Sequence, residues 1–245
     1  MINYRIEGQG EVIVLIHGLF GSLGNLGLLA RELSKQYRVV SVDLPNHGQS
    51  PHSEHFSYES MAHEVVAALS HENIKQWDLI GHSMGGKVSM KIASLYPRQT
   101  KRLVILDMAP VHYTQARHDN VFKGLFLVDA EKPTSRGDAI ALLKHHIEIE
   151  GVRQFLAKSL YNNGQHFAWR FNLHLLHQYY EQILGWETLD PVLTSTLFIK
   201  GADSEYIMAE HQSSILSQFP NSKAHVIANT GHWLHAEKPA DVLRV

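Results

Sequence analysis

Trp77-Asp78-Leu79-Ile80-Gly81-His82-Ser83-Met84-Gly85-Gly86-Lys87 joins a short apolar run to a helical one through glycines on both sides of a serine. Trp77–Ile80 has the length and apolar content of a buried strand, and Lys87–Leu95 has helical spacing. Between them lies a G-x-S-x-G pattern, Gly81 to Gly85. Glycines two residues either side of the serine let the backbone turn sharply from strand into helix, which holds the serine at the tip with its hydroxyl exposed. The competing reading is a glycine-rich turn carrying an incidental serine. The strand before and the helix after favour a nucleophile, Ser83.

Outward from this turn the chain alternates. Val12–Ile16 and Val39–Val42 read as strands buried on both faces, as parallel sheets require. Leu26 to Gln36 and Tyr58 to Ser70 read as helices between them, and Leu103–Leu106 as a further strand. The rhythm stops from Val111 to Leu189, where helical patterns rich in aromatic and histidine residues show no convincing strand. It resumes with Thr196–Lys200 as a strand, Met208–Phe219 as a helix, Lys223–Ile227 as a strand and His235–Val245 as a last short helix. This is an α/β chain with a mostly parallel central sheet flanked by helices. The expected division is a core of residues 1–110 and 190–245 and a helical cap insertion over 111–189.

A serine hydroxyl needs a base, and the base needs a group to orient it. With a strand–turn–helix nucleophile the order along the chain is serine, acid, histidine. His232, in Asn229-Thr230-Gly231-His232-Trp233 after the last strand, is the expected base, with His235 as runner-up. The residues leave the acid open between Asp107 and Asp203. Each follows a strand, where open α/β sheets carry their functional loops. An oxyanion hole needs two backbone N–H groups. Met84, after the nucleophile, is expected to supply one. The His17-Gly18-Leu19-Phe20-Gly21 loop supplies the other, from Leu19 or alternatively Phe20, with His17 supporting the loop. Trp233 joins them as a substrate-binding candidate.

Composition narrows the chemistry. The 245 residues include no cysteine, which excludes disulfides, thiolate nucleophiles and iron–sulfur clusters. Lysine plus arginine total 22 against 24 acids, a net charge of −2, which argues against nucleic acid as a partner. The longest apolar runs fall far short of the ~18 residues that span a bilayer, and the N-terminal residues lack a signal pattern. A cytoplasmic protein, without a membrane partner, is expected. The 18 histidines invite a metal reading. The best local pairs, His145-His146 and His174 with His177, have no acid beside them, and H-E-x-x-H is absent. No metal and no cofactor are expected. As a set the histidines should instead turn the net charge positive below about pH 6.

Several stretches together resemble the α/β-hydrolase superfamily and, in detail, the YbfF-like bacterial esterases. They are His17-Gly18-Leu19-Phe20-Gly21-Ser22, Asn46-His47-Gly48-Gln49-Ser50-Pro51, Gly81 to Lys87, Asp107-Met108-Ala109-Pro110, Trp169-Arg170-Phe171-Asn172 and Gly231 to Pro239. The resemblance implies the α/β-hydrolase fold and hydrolysis of a small-molecule acyl ester, extending to acyl thioesters, by a monomer or weak homo-oligomer. It implies Asp107 as the acid and Ser204 as an auxiliary to the histidine. One departure stands out: Pro45 occupies the position before Asn-His-Gly where the family usually carries arginine. Other readings on the same fold are a C–C bond hydrolase, a lyase, or a ligand receptor without catalysis.

Overall fold

The computed structural model describes residues 1–115 and 117–245. In chain order the elements are β1 (Tyr4–Glu7), β2 (Val12–Ile16), α1 (Gly27–Leu33), β3 (Arg38–Val42), α2 (Tyr58–His71), β4 (Trp77–His82), α3 (Met84–Leu95) and β5 (Thr100–Leu106). Then come α4 (Asp119–Glu131), α5 (Arg136–Lys144), α6 (Glu150–Ala157), β6 (Leu160–Asn162), β7 (Phe167–Trp169), α7 (Leu173–Gln178) and α8 (Tyr180–Leu184). The chain closes with β8 (Ser195–Gly201), α9 (Gln212–Gln218), β9 (Ser222–Ile227), α10 (Leu234–Glu237) and α11 (Pro239–Arg244). Among the described residues no helix is long and apolar enough to cross a membrane.

Seven strands form one sheet in the order β1-β3-β2-β4-β5-β8-β9. Every pairing is parallel except that of β1, which runs antiparallel along β3. Alternate side chains go to opposite faces. Val14, Ile16, Val40 and Val42 pack with α2 and α3 on one face. Ile13, Leu15 and Val39 pack with Leu29 and Ala30 of α1 and Val242 of α11 on the other. A slip of one residue would exchange these sets, but both faces are apolar here, so the helices as well as the pattern hold the register. Ser57 caps α2 by accepting the Ser60 N–H at 2.9 Å. That cap starts a helix whose buried residues are Met61, Ala62, Val65, Val66, Ala68 and Leu69.

Three features depart from the sequence reading. β1 is an additional edge strand; its alternation of Tyr4 and Ile6 with Arg5 and Glu7 is visible but short. The segment between β5 and β8 is not purely helical, because β6 and β7 pair as an antiparallel hairpin. Its strands are too short to give a periodicity, although Gly164, with φ of 98°, marks the turn. The last helix is two helices. Pro239 opposes helical backbone at Lys238, which sits at φ −137° and ψ 62°.

The segment between β5 and β8 lies over the C-terminal ends of the strands. Ser159 Oγ donates to the Phe20 carbonyl at 2.7 Å, and the Asn172 N–H to the Asn46 carbonyl at 2.9 Å. Its trailing end is held by Lys87 of α3. This side chain is 1% exposed. Its Nζ donates to the carbonyls of Leu184 and Gly185, each at 2.8 Å, and lies over the rings of Tyr113 and Tyr58. The carbonyls at the end of α8 need donors, and the buried amine supplies them together with the Tyr113 N–H on Leu184 and the Tyr58 hydroxyl on Ile183.

Five histidines, four of them buried and His118 half-buried, are held neutral by desolvation. His47 and His235 are pushed down to about 3, with repulsion from His17 and His232 respectively adding to the desolvation. His118 is pushed down to about 4, again with His232 adding. His17 is lowered, and His82 falls well below the usual range, His235 adding. These five therefore do not join the expected rise in charge near pH 6 while the chain is folded.

Two predictions follow from this packing. Replacing Lys87 with methionine leaves the half-buried Gly185 carbonyl without this donor and the Leu184 carbonyl with only the Tyr113 N–H, and should cost about 1–3 kcal/mol, read as a lower midpoint in urea unfolding; an unchanged midpoint contradicts the clamp. Acid should destabilise the fold early. Below about pH 6.5 the unfolded chain takes up protons at His47, His118 and His235 that the native chain refuses until about pH 4 to 3, and the lowered His17 and His82 act in the same direction. The thermal midpoint should fall steadily as pH drops from 7 to 5, and a flat midpoint across that window would count against it.

Candidate active site

Ser83 stands between β4 and α3, at φ 54° and ψ −124°, and is 8% exposed. Left-handed backbone is strained for serine and persists only where the surroundings impose it. Its N–H donates to the Leu106 carbonyl at 3.0 Å, and its carbonyl accepts the Gly86 N–H at 2.7 Å. The turn is possible because Gly85 has no side chain: a Cβ there would stand 2.3 Å from the Ile16 carbonyl oxygen. α3 starts at Met84, three residues earlier than the sequence pattern suggests, so the N-terminal end of its dipole lies against Ser83.

His232 lies in the loop between β9 and α10. Its Nε2 is 2.9 Å from Ser83 Oγ, and its Nδ1 is 2.7 Å from Asp107 Oδ2. Asp107 is fully buried and follows β5 at φ 53°. A carboxylate only accepts, so Nδ1–H donates to Asp107 and Nε2 is left to accept the Ser83 proton. The remaining capacity of Asp107 is filled from the loop after β8. The Gly201 N–H donates to Oδ1 at 3.2 Å, and the Ser204 hydroxyl donates to Oδ2. Asp203 is exposed, and only its backbone N–H reaches the histidine loop, donating to the Thr230 carbonyl at 2.9 Å. Its carboxylate has no bond to His232. His235 points elsewhere, with its ring 4.2 Å from that of His82.

The loop after β2 lies against Ser83: a Cβ on Gly18 would stand 3.0 Å from Ser83 Cβ. His17 fixes the loop by accepting the Leu44 N–H at Nε2, 3.1 Å, and donating from Nδ1 to the Gly18 carbonyl, 2.8 Å. Phe20 is left-handed, at φ 61°. Among the described residues no protein acceptor takes the N–H of Leu19, Phe20 or Met84. Trp233 is half-buried, its ring centroid 5.9 Å from that of Phe155 of α6. Phe20 touches Phe122 and Phe171, giving the site an aromatic wall from the segment between β5 and β8.

Two residues around His232 were not singled out from the sequence. His82 donates from Nε2 to the His232 carbonyl at 2.8 Å, which pins the histidine loop beside the nucleophile turn. It stood inside the G-x-S-x-G pattern as an unassigned position. Tyr206 lies face to face with the His232 ring; nothing in its sequence surroundings marks it. The histidine pairs considered for metal go elsewhere: His174 faces Asp129 at 3.4 Å, and His177 packs on Phe122 and Phe126.

This geometry can be set beside known proteins. The profile of the alpha/beta hydrolase family matches residues 13–245. The esterase YbfF of Escherichia coli strain K12 is 43% identical over 238 residues, covering 97% of this chain and 92% of the relative. The sn-1-specific diacylglycerol lipase ABHD11 of Mus musculus is 36% identical over 239 residues, covering 94% of this chain and 78% of the relative. Among solved structures, a marine microorganism esterase superposes with a TM-score of 0.95 at 32% identity, covering 99% of this chain and 97% of that one.

Proposed function

The chain belongs to the alpha/beta hydrolase family, and from that membership we propose that it cleaves carboxylic esters through an acyl-enzyme on Ser83. As an enzyme it is a hydrolase of the carboxylesterase class, the class of its esterase and lipase relatives. The observation that carries the mechanism is the unbroken chain from Ser83 Oγ through the His232 ring to Asp107.

In the first half-reaction His232 Nε2 takes the Ser83 proton as Oγ attacks the acyl carbonyl. The carbonyl electrons move onto oxygen, and the N–H groups of Met84 and Leu19, or alternatively Phe20, receive that charge. Collapse of the tetrahedral intermediate breaks the ester C–O bond, and His232 returns its proton to the leaving alcohol. In the second, His232 takes a proton from water, whose oxygen attacks the acyl carbonyl, and Ser83 leaves with that proton. Asp107 holds the tautomer throughout and balances the imidazolium. Ser204 assists by fixing the carboxylate. Residues 111–189 act as a cap on the core of 1–110 and 190–245. Its aromatic side chains, with Phe20 and Trp233, form the wall for an apolar acyl group. An acyl thioester offers the same carbonyl and a better leaving group, so it falls within the same chemistry.

Ser83→Ala should lower turnover of a p-nitrophenyl ester by several orders of magnitude at an unchanged thermal midpoint. A fluorophosphonate should label the parent chain but not this variant. Retained turnover sinks the nucleophile, and an unlabelled parent chain points to a receptor. Asp107→Asn should be crippled, by about 10⁴-fold on the precedent of serine proteases, while Asp203→Asn stays within a few-fold of the parent. The reverse pattern would reassign the acid. A panel of short and long acyl esters and acyl-CoAs then ranks the substrates.

A further inference from the structure

The loop after β8 reaches the histidine as well as the acid. Lys200 Nζ clamps it, donating to the carbonyls of Ser204 at 2.7 Å and Ile207 at 2.6 Å. Between those anchors the Tyr206 N–H donates to Ser204 Oγ at 3.2 Å. The Tyr206 carbonyl accepts the Tyr113 hydroxyl at 2.6 Å, and that hydroxyl accepts the Ala109 N–H at 2.9 Å. The backbone of Tyr206 is thus held at both its polar groups. Its ring lies on the imidazole of His232, with centroids 3.8 Å apart and planes 19° apart. Among the described residues no other ring presents its face to the imidazole in this way. His82 is 4.8 Å away at 42°, and Trp233 is 5.8 Å away at 66°. The Arg117 guanidinium is 5.2 Å from the Tyr206 centroid, and its charge is met by Glu205 at 2.8 Å.

We propose that Tyr206 is a positioning residue for His232, holding the imidazole plane between Asp107 and Ser83 and stabilising the imidazolium through its ring face. This rests on the reading of His232 as the base. The negative face of an aromatic ring attracts a cation lying over it, and more strongly away from water. A proton arriving at Nε2 turns the stacked ring into such a cation. The other charged and titratable groups nearby leave this effect room. Asp107 accepts from the opposite nitrogen. His82, His118 and His235 are held neutral by burial, and Arg117 is paired with Glu205. The Tyr206 hydroxyl has no protein partner among the described residues, so the ring and not the O–H should carry the role.

The test keeps the shape of the ring and changes its electrostatics. Tyr206→Phe is followed by phenylalanines of increasing ring fluorination at the same position, with His232→Asn as the control. Each is assayed for kcat, KM and the acid limb of kcat/KM on a p-nitrophenyl ester. Tyr206→Phe should stay within about two-fold of the parent. Full fluorination should lower kcat about ten-fold with KM unchanged and move the acid limb to lower pH. A merely structural ring would give a flat series at equal thermal midpoint, and that result, with His232→Asn inactive, overturns the stack alone. Retained activity in His232→Asn overturns the base assignment beneath it.

Discussion

A carboxylate buried without exposure is tolerable only if its lone pairs are filled, and the fold around Asp107 supplies the donors from beyond its own strand. The Gly201 N–H and Ser204 hydroxyl come from the end of β8, and the His232 ring from the end of β9. These are the two strands next in order after β5. Parallel pairing brings their C-terminal ends to one edge of the sheet, and the Ser83 turn after β4 stands on the other side of β5. The carboxylate, the imidazole and the serine hydroxyl are therefore set by one sheet register. The backbone is strained where they meet: Phe20, Ser83 and Asp107 are all left-handed without being glycine. Such backbone persists only where the surroundings impose it.

The segment between β5 and β8 shares the same core as the sheet. Phe122, Leu125, Trp169 and Phe171 belong to one continuous apolar cluster with Val14, Val65 and Val88. Lys87 stands on the same helix whose first residue follows Ser83, and it binds the carbonyls where that segment returns to the core. α3 and the trailing end of that segment are thus mechanically joined. Histidine is the other recurring material. Neutral histidines at 17 and 82 each use a ring nitrogen to fix a loop, a role that needs a buried polar group without a charge.

Much of this was legible in the chain. The glycines around Ser83 and the alternation of apolar runs with helical spacing point to the parallel sheet, because each signal is local and repeated. The position of His232 after the last strand follows from chain order. The gap in the rhythm falls on the segment between β5 and β8. The β6–β7 hairpin escaped because three-residue strands have no measurable period. The last helix reads as one because its break at Pro239 falls inside an otherwise helical pattern.

By itself, the sequence determined where the backbone turns and which residue types stand at the turns, since glycine permissiveness and side-chain periodicity act over a few residues. Tertiary structure decided which partners meet. Asp107 and Asp203 both follow strands, but the φ of Asp107 and the wrap of the β8 loop put one carboxylate on His232 and leave the other in solvent. The desolvation of five histidines, the clamp at Lys87 and the ring of Tyr206 on the imidazole depend on contacts between residues far apart in the chain. Such contacts are fixed by packing and hydrogen-bond geometry in three dimensions, which no local pattern encodes.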